Sequence, residues 1–331
     1  MKELREKHEI PNPLTTPPHI LEGRKGEPSK WAMPLDMTLR PIVDGEYLIP
    51  KTIDFIKRNA QAKKPFFVYL GYSEMHPPVA AHPDFAGKSP NRGGLYADMI
   101  AEMDYRVGQV VDAVKEAGIE DNTIIIFSSD NAALDLSGDA GAGGGSNGPW
   151  RGDFFTTPFE GSMRVPAIVR WPGSIPASVV TDQMLAAVDW LPTLAALIGA
   201  SNLVPKDRPI DGVDASEFLL GKSEATGRES YLFFGLDGEL MSVKWRYYKM
   251  ILRYVPGPEV PSINKGFVTP QVPMFFDLSS DPHENFNLWA STMTMGWVME
   301  MPMFHAIGAY EKSVRQYPNI KSGEDFTGYK K

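Results

Sequence analysis

YADMIAEMDYRVGQVVDAVKEAGIEDNTIIIFSSDN (96–131) joins a helix, its stop and a strand in one run. Met99, Ile100, Met103, Val107, Val110, Val111 and Val114 recur every three or four residues, the spacing of one apolar helix face. Gly118 stands where a helix end takes a left-handed residue, so the pattern predicts a helix over 96–117. Asn122-Thr123 then opens an apolar run that predicts a buried strand over 123–129, closing on Asp130-Asn131. Upstream, PFFVYLGY (65–72) follows the Lys63-Lys64-Pro65 break and reads as another buried strand. Strand, helix, strand in this order predicts a parallel βαβ unit. Val165–Trp171, stopped by Pro172-Gly173, adds a third strand. The expected fold class is α/β: a mostly parallel or mixed central sheet flanked by helices, with a smaller C-terminal α+β subdomain.

That subdomain is read from a shift in composition after 222. The aromatic-rich alternating runs within 229–254 predict a short antiparallel sheet, and the methionine-rich tail predicts a helix over 291–317. Residues 1–50 carry repeated prolines and no sustained period, and read as an extended N-terminal arm. A short helix is expected from Thr52 and another over 189–200, while AGAGGGSNGP (140–149) reads as a loop. The expected domains are 1–50, 51–222 and 223–331.

Composition narrows the function. The 331 residues include 17 Phe, 7 Trp and 12 Tyr, too much buriable surface for a disordered chain. A net charge of −8 argues against a nucleic-acid partner, whose footprint is a basic face. Cysteine is absent, which removes disulfides, thiol nucleophiles and Cys-ligated metals. The charged, proline-rich start is not a signal peptide, and the apolar runs are too short to span a bilayer. The chain reads as soluble with no membrane partner, and leaves a cytoplasmic or periplasmic location open.

Three constellations bear chemistry. Asp130-Asn131 ends a strand, where parallel α/β sheets place ligands, and pairs two hard oxygen donors suited to Ca²⁺ or Mg²⁺. The competing reading is an Asp-Asn turn that caps the strand. His76, in YSEMHPPVAAHPDF, lies just past the 65–72 strand and either contacts an anion and moves a proton or simply packs between prolines. His82, in the same loop, is expected to be the more exposed of the two. In GPWRGDFFTTPFEGSMRVP (148–166), Arg151 is the better candidate for an anion, and Arg164 for a structural ion pair with Glu160. There is no G-x-S-x-G elbow, Walker loop or dinucleotide-type glycine turn.

Several segments together resemble the sulfatases, of the arylsulfatase branch of the alkaline-phosphatase-like superfamily. They are KKPFFVYLGYSEMHPPVAAHPDFAGKS, GLYADMIAEMDYRVGQVVDAVKEAGIEDNTIIIFSSDN, PWRGDFFTTPFEGSMRVPAIVRWPG and DRPIDGVD; ESYLFFGLDGELMSVKWRYYKM and FFDLSSDPHENFNL fit the C-terminal subdomain. The resemblance implies hydrolysis of a sulfate ester by a hydrated formylglycine beside a Ca²⁺ ion. Carried over, Asp130 and Asn131 become metal ligands, and His76 contacts the sulfate or protonates the leaving oxygen. The chain departs from the pattern in having no Cys and no S-x-P-S-R. The nearest string, Gly26-Glu27-Pro28-Ser29-Lys30, puts Gly at the nucleophile, and Ala132 replaces the glycine after Asp-Asn.

No formylglycine is therefore possible from this chain, and the family's N-terminal part appears as missing. The expected function is a sulfatase-like hydrolase of aryl sulfates, impaired by the missing nucleophile, with a weakly held Ca²⁺ or Mg²⁺. Its expected partner is a small anionic ester bound by Arg151 and His76, and an uncovered sheet edge implies a homo-oligomer. The alternatives are a phosphate- or carboxylic-ester hydrolase using water or serine, and an inactive family member.

Overall fold

The chain divides into two units, Met1–Thr123 with Asp135–Gly145 and Ile124–Leu134 with Ser146–Lys331. The computed structural model describes residues 19–36, 38–89, 94–134, 144–154, 158–235, 238–256, 266–291 and 293–320.

In the first unit β1 (His19–Glu22) and β2 (Lys30–Pro34) form an antiparallel hairpin within the proline-rich stretch. A 3-10 turn at Arg40–Ile42 and a π-type turn at Asp44–Leu48 lead into α1 (Ile49–Gln61). Pro50 sits in the first turn of α1, where its missing N–H costs no hydrogen bond. This helix buries Ile49 and Ile56 and packs on α2 (Gly94–Glu116), the helix anticipated from its apolar spacing. Gly118, at φ +67°, ends α2 in the left-handed region. Between the helices Pro65–Tyr72 carries no strand pairing among the described residues, in contrast to the strand expected there. Its burial still alternates: Phe66, Val68 and Leu70 are half-buried, while Phe67 and Tyr69 are 78% and 85% exposed. The apolar run thus has the period of a strand with one covered face, not the two-sided burial of a central parallel strand.

In the second unit β3 (Ile125–Ser128) and β4 (Ala167–Arg170) lie where strands were anticipated. They pair antiparallel, Ile125 opposite Arg170 and Ser128 opposite Ala167; the parallel unit was expected between the 65–72 and 123–129 strands, and among the described residues 65–72 carries no pairing. An apolar run reports how far a strand is covered and says nothing of the direction of its neighbour. α3 (Trp190–Leu197) follows, with Gly199 at φ +72° just past its end. Asp189, at its N-terminal edge, is fully buried and held by Arg228 at 2.5 and 2.7 Å.

The short antiparallel sheet is present as anticipated. β5 (Ser230–Phe234), β6 (Leu240–Trp245), β7 (Tyr248–Ile251) and β8 (Met274–Asp277) form one sheet in that order, all neighbours antiparallel. Successive residues of a strand face opposite ways, so Met250 and Ile251 enter different cores. Met250 joins Val243, Phe275 and Met303, the last from α4 (Met293–Gln316), the anticipated tail helix. Ile251 joins Phe159, Phe276 and Leu278. Among the described residues no helix is long and apolar enough to cross a membrane.

Candidate functional site

His76 belongs to the first unit, and a loop held by charged side chains presents it. Asp44 Oδ2 accepts from the backbone N–H of Ser73 at 2.8 Å, from Ser73 Oγ at 2.6 Å and from the N–H of Glu74 at 3.1 Å. Arg40 Nη1 donates to Ser73 Oγ at 2.8 Å, and its Nη2 donates to the carbonyls of Ser73 and, at 3.0 Å, of His76. Arg40 and Asp44 are both buried, whereas His76 is exposed. Its Nδ1 lies 2.6 Å from the carbonyl oxygen of Pro77, a contact that assigns the proton of the neutral ring to Nδ1 and leaves Nε2 open. Burial, a hydrogen bond to Asp44 and the charge of Asp44 push the Glu74 carboxyl up to about 9.

His82 reverses its expected exposure. It is 6% exposed, its backbone N–H donates to Glu102 Oε2 at 3.0 Å, and its Nε2 lies 3.4 Å from Glu46 Oε1. A ring enclosed by its own loop and by α2 is a structural residue.

One face of α2 holds this loop, and the apolar pattern does not reveal it. Asp98, Glu102 and Arg106, at intervals of four, are all buried. Asp98 accepts from the N–H groups of Gly87 at 2.7 Å and Ser89 at 2.8 Å. Arg106 pairs with Glu102 at 3.3 Å, and its guanidinium fills the space where a side chain on Gly45 would stand. The signal in the sequence was the D-x-x-x-E-x-x-x-R spacing itself, which places three charges on one helix face.

The other sequence-derived site residues belong to the second unit. Asp130 is exposed and Asn131 half-buried, the latter with Nδ2 donating to the carbonyl of Ala132 at 3.2 Å. Among the described residues no three His, Asp or Glu side chains gather as a metal site. Two oxygens are too few for the six to eight that Ca²⁺ takes, so the described donors do not by themselves fit an ion. Arg151 Nη1 donates to the carbonyl of Glu284 at 2.9 Å, and the guanidinium lies 4.0 Å from the centre of the Phe159 ring. Arg164 stacks on Trp150 and pairs with Glu160 at 2.9 Å. Glu160 is also held by Lys244 at 2.6 Å and by Lys249 at 3.0 Å, while its N–H donates to Glu284 Oε2 at 2.8 Å. Arg164 is thus a structural ion-pair partner, as expected, within a larger buried network.

Solved structures with this fold are sulfatases of the alkaline-phosphatase-like α/β class, and the fold here is of that class. PsFucS1 sulfatase from Pseudoalteromonas sp. superposes with a TM-score of 0.84 at 27% identity, over 97% of this chain and 62% of that one. A family model described as sulfatase matches residues 23–200. N-acetylgalactosamine-6-sulfatase of Canis lupus familiaris is 35% identical over 261 residues, 74% of this chain and 48% of the relative. Steryl-sulfatase of Rattus norvegicus is 32% identical over 285 residues, 80% of this chain and 48% of the relative. The chain belongs to the sulfatase family, and it spans about half the length of these curated relatives.

Proposed function

We propose that the chain serves the hydrolysis of sulfate esters, aryl sulfates in the first instance, with His76 contacting the sulfate group and protonating the leaving oxygen. The observation that supports this most is the Nδ1 contact with the Pro77 carbonyl on an exposed ring. It leaves Nε2 as the nitrogen that meets the substrate. With no Cys and no S-x-P-S-R string in these residues, water is the nucleophile of the proposal. Its oxygen bonds to sulfur as the bond from sulfur to the ester oxygen breaks. The imidazolium Nε2–H passes its proton to that oxygen; of the two protons the attacking water gives up, one returns to Nε2 and the other goes to solvent, and phenol and sulfate result.

In the second unit Arg151 is proposed as an anion-binding residue, its plane fixed by Phe159 and the Glu284 carbonyl so that its remaining N–H groups keep one orientation. The family generally binds a divalent metal. Asp130 and Asn131 are proposed as two of its ligands, Ca²⁺ or Mg²⁺, with water completing a weak site. No step above runs through the ion.

The test titrates p-nitrophenyl sulfate into the purified chain and follows the histidine ring resonances and phenol release. The His76 signals are expected to shift, and release, slow in the parent, is expected to fall on the order of 10²-fold in His76→Ala. Unmoved His76 signals with equal release from both proteins would overturn the reading.

A further inference from the structure

We infer that Arg40 and Asp44 are positioning residues for His76, fixing the turn Ser73–His76 so that the imidazole meets the Pro77 carbonyl through Nδ1. This rests on the reading of His76 as the residue that handles the proton.

Two observations carry it. First, the two side chains grip the turn in complementary ways. Asp44 takes the N–H groups of Ser73 and Glu74, whereas Arg40 takes the carbonyls of Ser73 and His76. Ser73 Oγ lies between them, donating to Asp44 and accepting from Arg40, which uses its one proton and one of its lone pairs. Both anchors come from the helical turns ahead of α1. Second, Met75 is held at φ +69°, in the left-handed region that non-glycine residues seldom enter. Such a conformation persists where its surroundings over-determine it, and the gripped residues Ser73, Glu74 and His76 flank Met75 on both sides.

A purely structural role for Arg40 and Asp44 would require only that the loop be stable. A positioning role requires that Nδ1 keep its proton against the Pro77 carbonyl, so that Nε2 is the nitrogen that gives up its proton and regains it.

The experiment labels histidine with ¹⁵N in the full chain and reads the ring tautomers by long-range ¹H–¹⁵N spectra, with His76→Gln identifying the His76 signals. The parent is expected to show His76 as the Nδ1–H form. Asp44→Asn and Arg40→Lys, folded by circular dichroism, are expected to shift it toward the Nε2–H form. Ser73→Ala, which deletes only the shared hydroxyl, serves if either of those fails to fold. Release of phenol from p-nitrophenyl sulfate in the same preparations should fall on the order of 10²-fold, with KM little changed. A parent without the Nδ1–H form, or folded variants with the parent's tautomer, would overturn the inference. A tautomer shift in a parent that does not respond to the aryl sulfate would leave the positioning intact and remove the hydrolase reading.

Discussion

Glu74 and Glu160 are both buried carboxyls, and their surroundings push them in opposite directions. At Glu74 burial, the hydrogen bond to Asp44 and the charge of Asp44 all raise the pKa, from 4.5 to about 9. The folded chain therefore binds a proton between these values that the unfolded chain has lost, and this contribution to stability declines as pH rises from about 4.5 to 9. Glu74→Gln keeps the shape and removes the titration. Melting temperatures of the variant are expected to fall less across that window than those of the parent. At Glu160 burial would raise the pKa, but the charges of Lys249 and Lys244 and the Lys244 hydrogen bond outweigh it and hold it at about 2. Here the contribution is present above about 4.5 and lost as pH falls toward 2. Glu160→Gln leaves Lys249, fully buried, and Lys244 without their shared partner, and is expected to destabilise by about 3–5 kcal/mol in urea unfolding at neutral pH. An unchanged urea midpoint would return this network to a minor role.

At the scale of elements, helices and the places of strands were legible because apolar spacing is a property of neighbours in sequence, though the burial expected of 123–129 was not met: β3 is half-buried to exposed. α2, α3 and α4 lie where their periods place them, and so do β3, β4 and the alternating strands of the C-terminal sheet. The partner of a strand was not legible, since it depends on which distant segment arrives alongside: β3 pairs with β4, and among the described residues 65–72 pairs with nothing. The site was legible in part. His76 drew attention by its place after an apolar run, but Arg40 and Asp44 act from 29 to 36 residues away in a stretch that reads only as proline-rich. His82 and the Asp98–Glu102–Arg106 stripe were missed for a related reason: a charge on a helix reads as solvated until a loop folds over it. The stripe gives its own prediction. Asp98→Ala leaves the amides of Gly87 and Ser89 without their acceptor and should destabilise by about 1–3 kcal/mol. Urea midpoints check this, and a variant as stable as the parent would mean that water replaces the carboxylate.

At the scale of the whole molecule, apolar surface stands open in the second unit. Ile168 on β4 is 61% exposed, and Leu191 and Ile198 point outward at α3, a helix too apolar all round to face water comfortably. Self-association is the expected result: light scattering should give a mass above 36.7 kDa, and Ile168→Lys should lower it. A parent that stays monomeric at every concentration would argue against it.

The buried network around Glu160 also bears on how the chain is made. Its partners Lys244 and Lys249 lie 84 and 89 residues downstream, and the carboxylate that caps its N–H lies 124 residues downstream. On a ribosome adding about 5–20 residues per second, Glu160 is synthesised roughly 6–25 s before Glu284. Until Lys244 is made the glutamate has none of these partners, and the Phe159 beside it lacks Ile251, Phe276 and Leu278. The second unit therefore reaches its final packing only when nearly all of it has been translated, and a nascent chain arrested before Lys244 leaves the ribosome with a charge prepared for burial and nothing to bury it against.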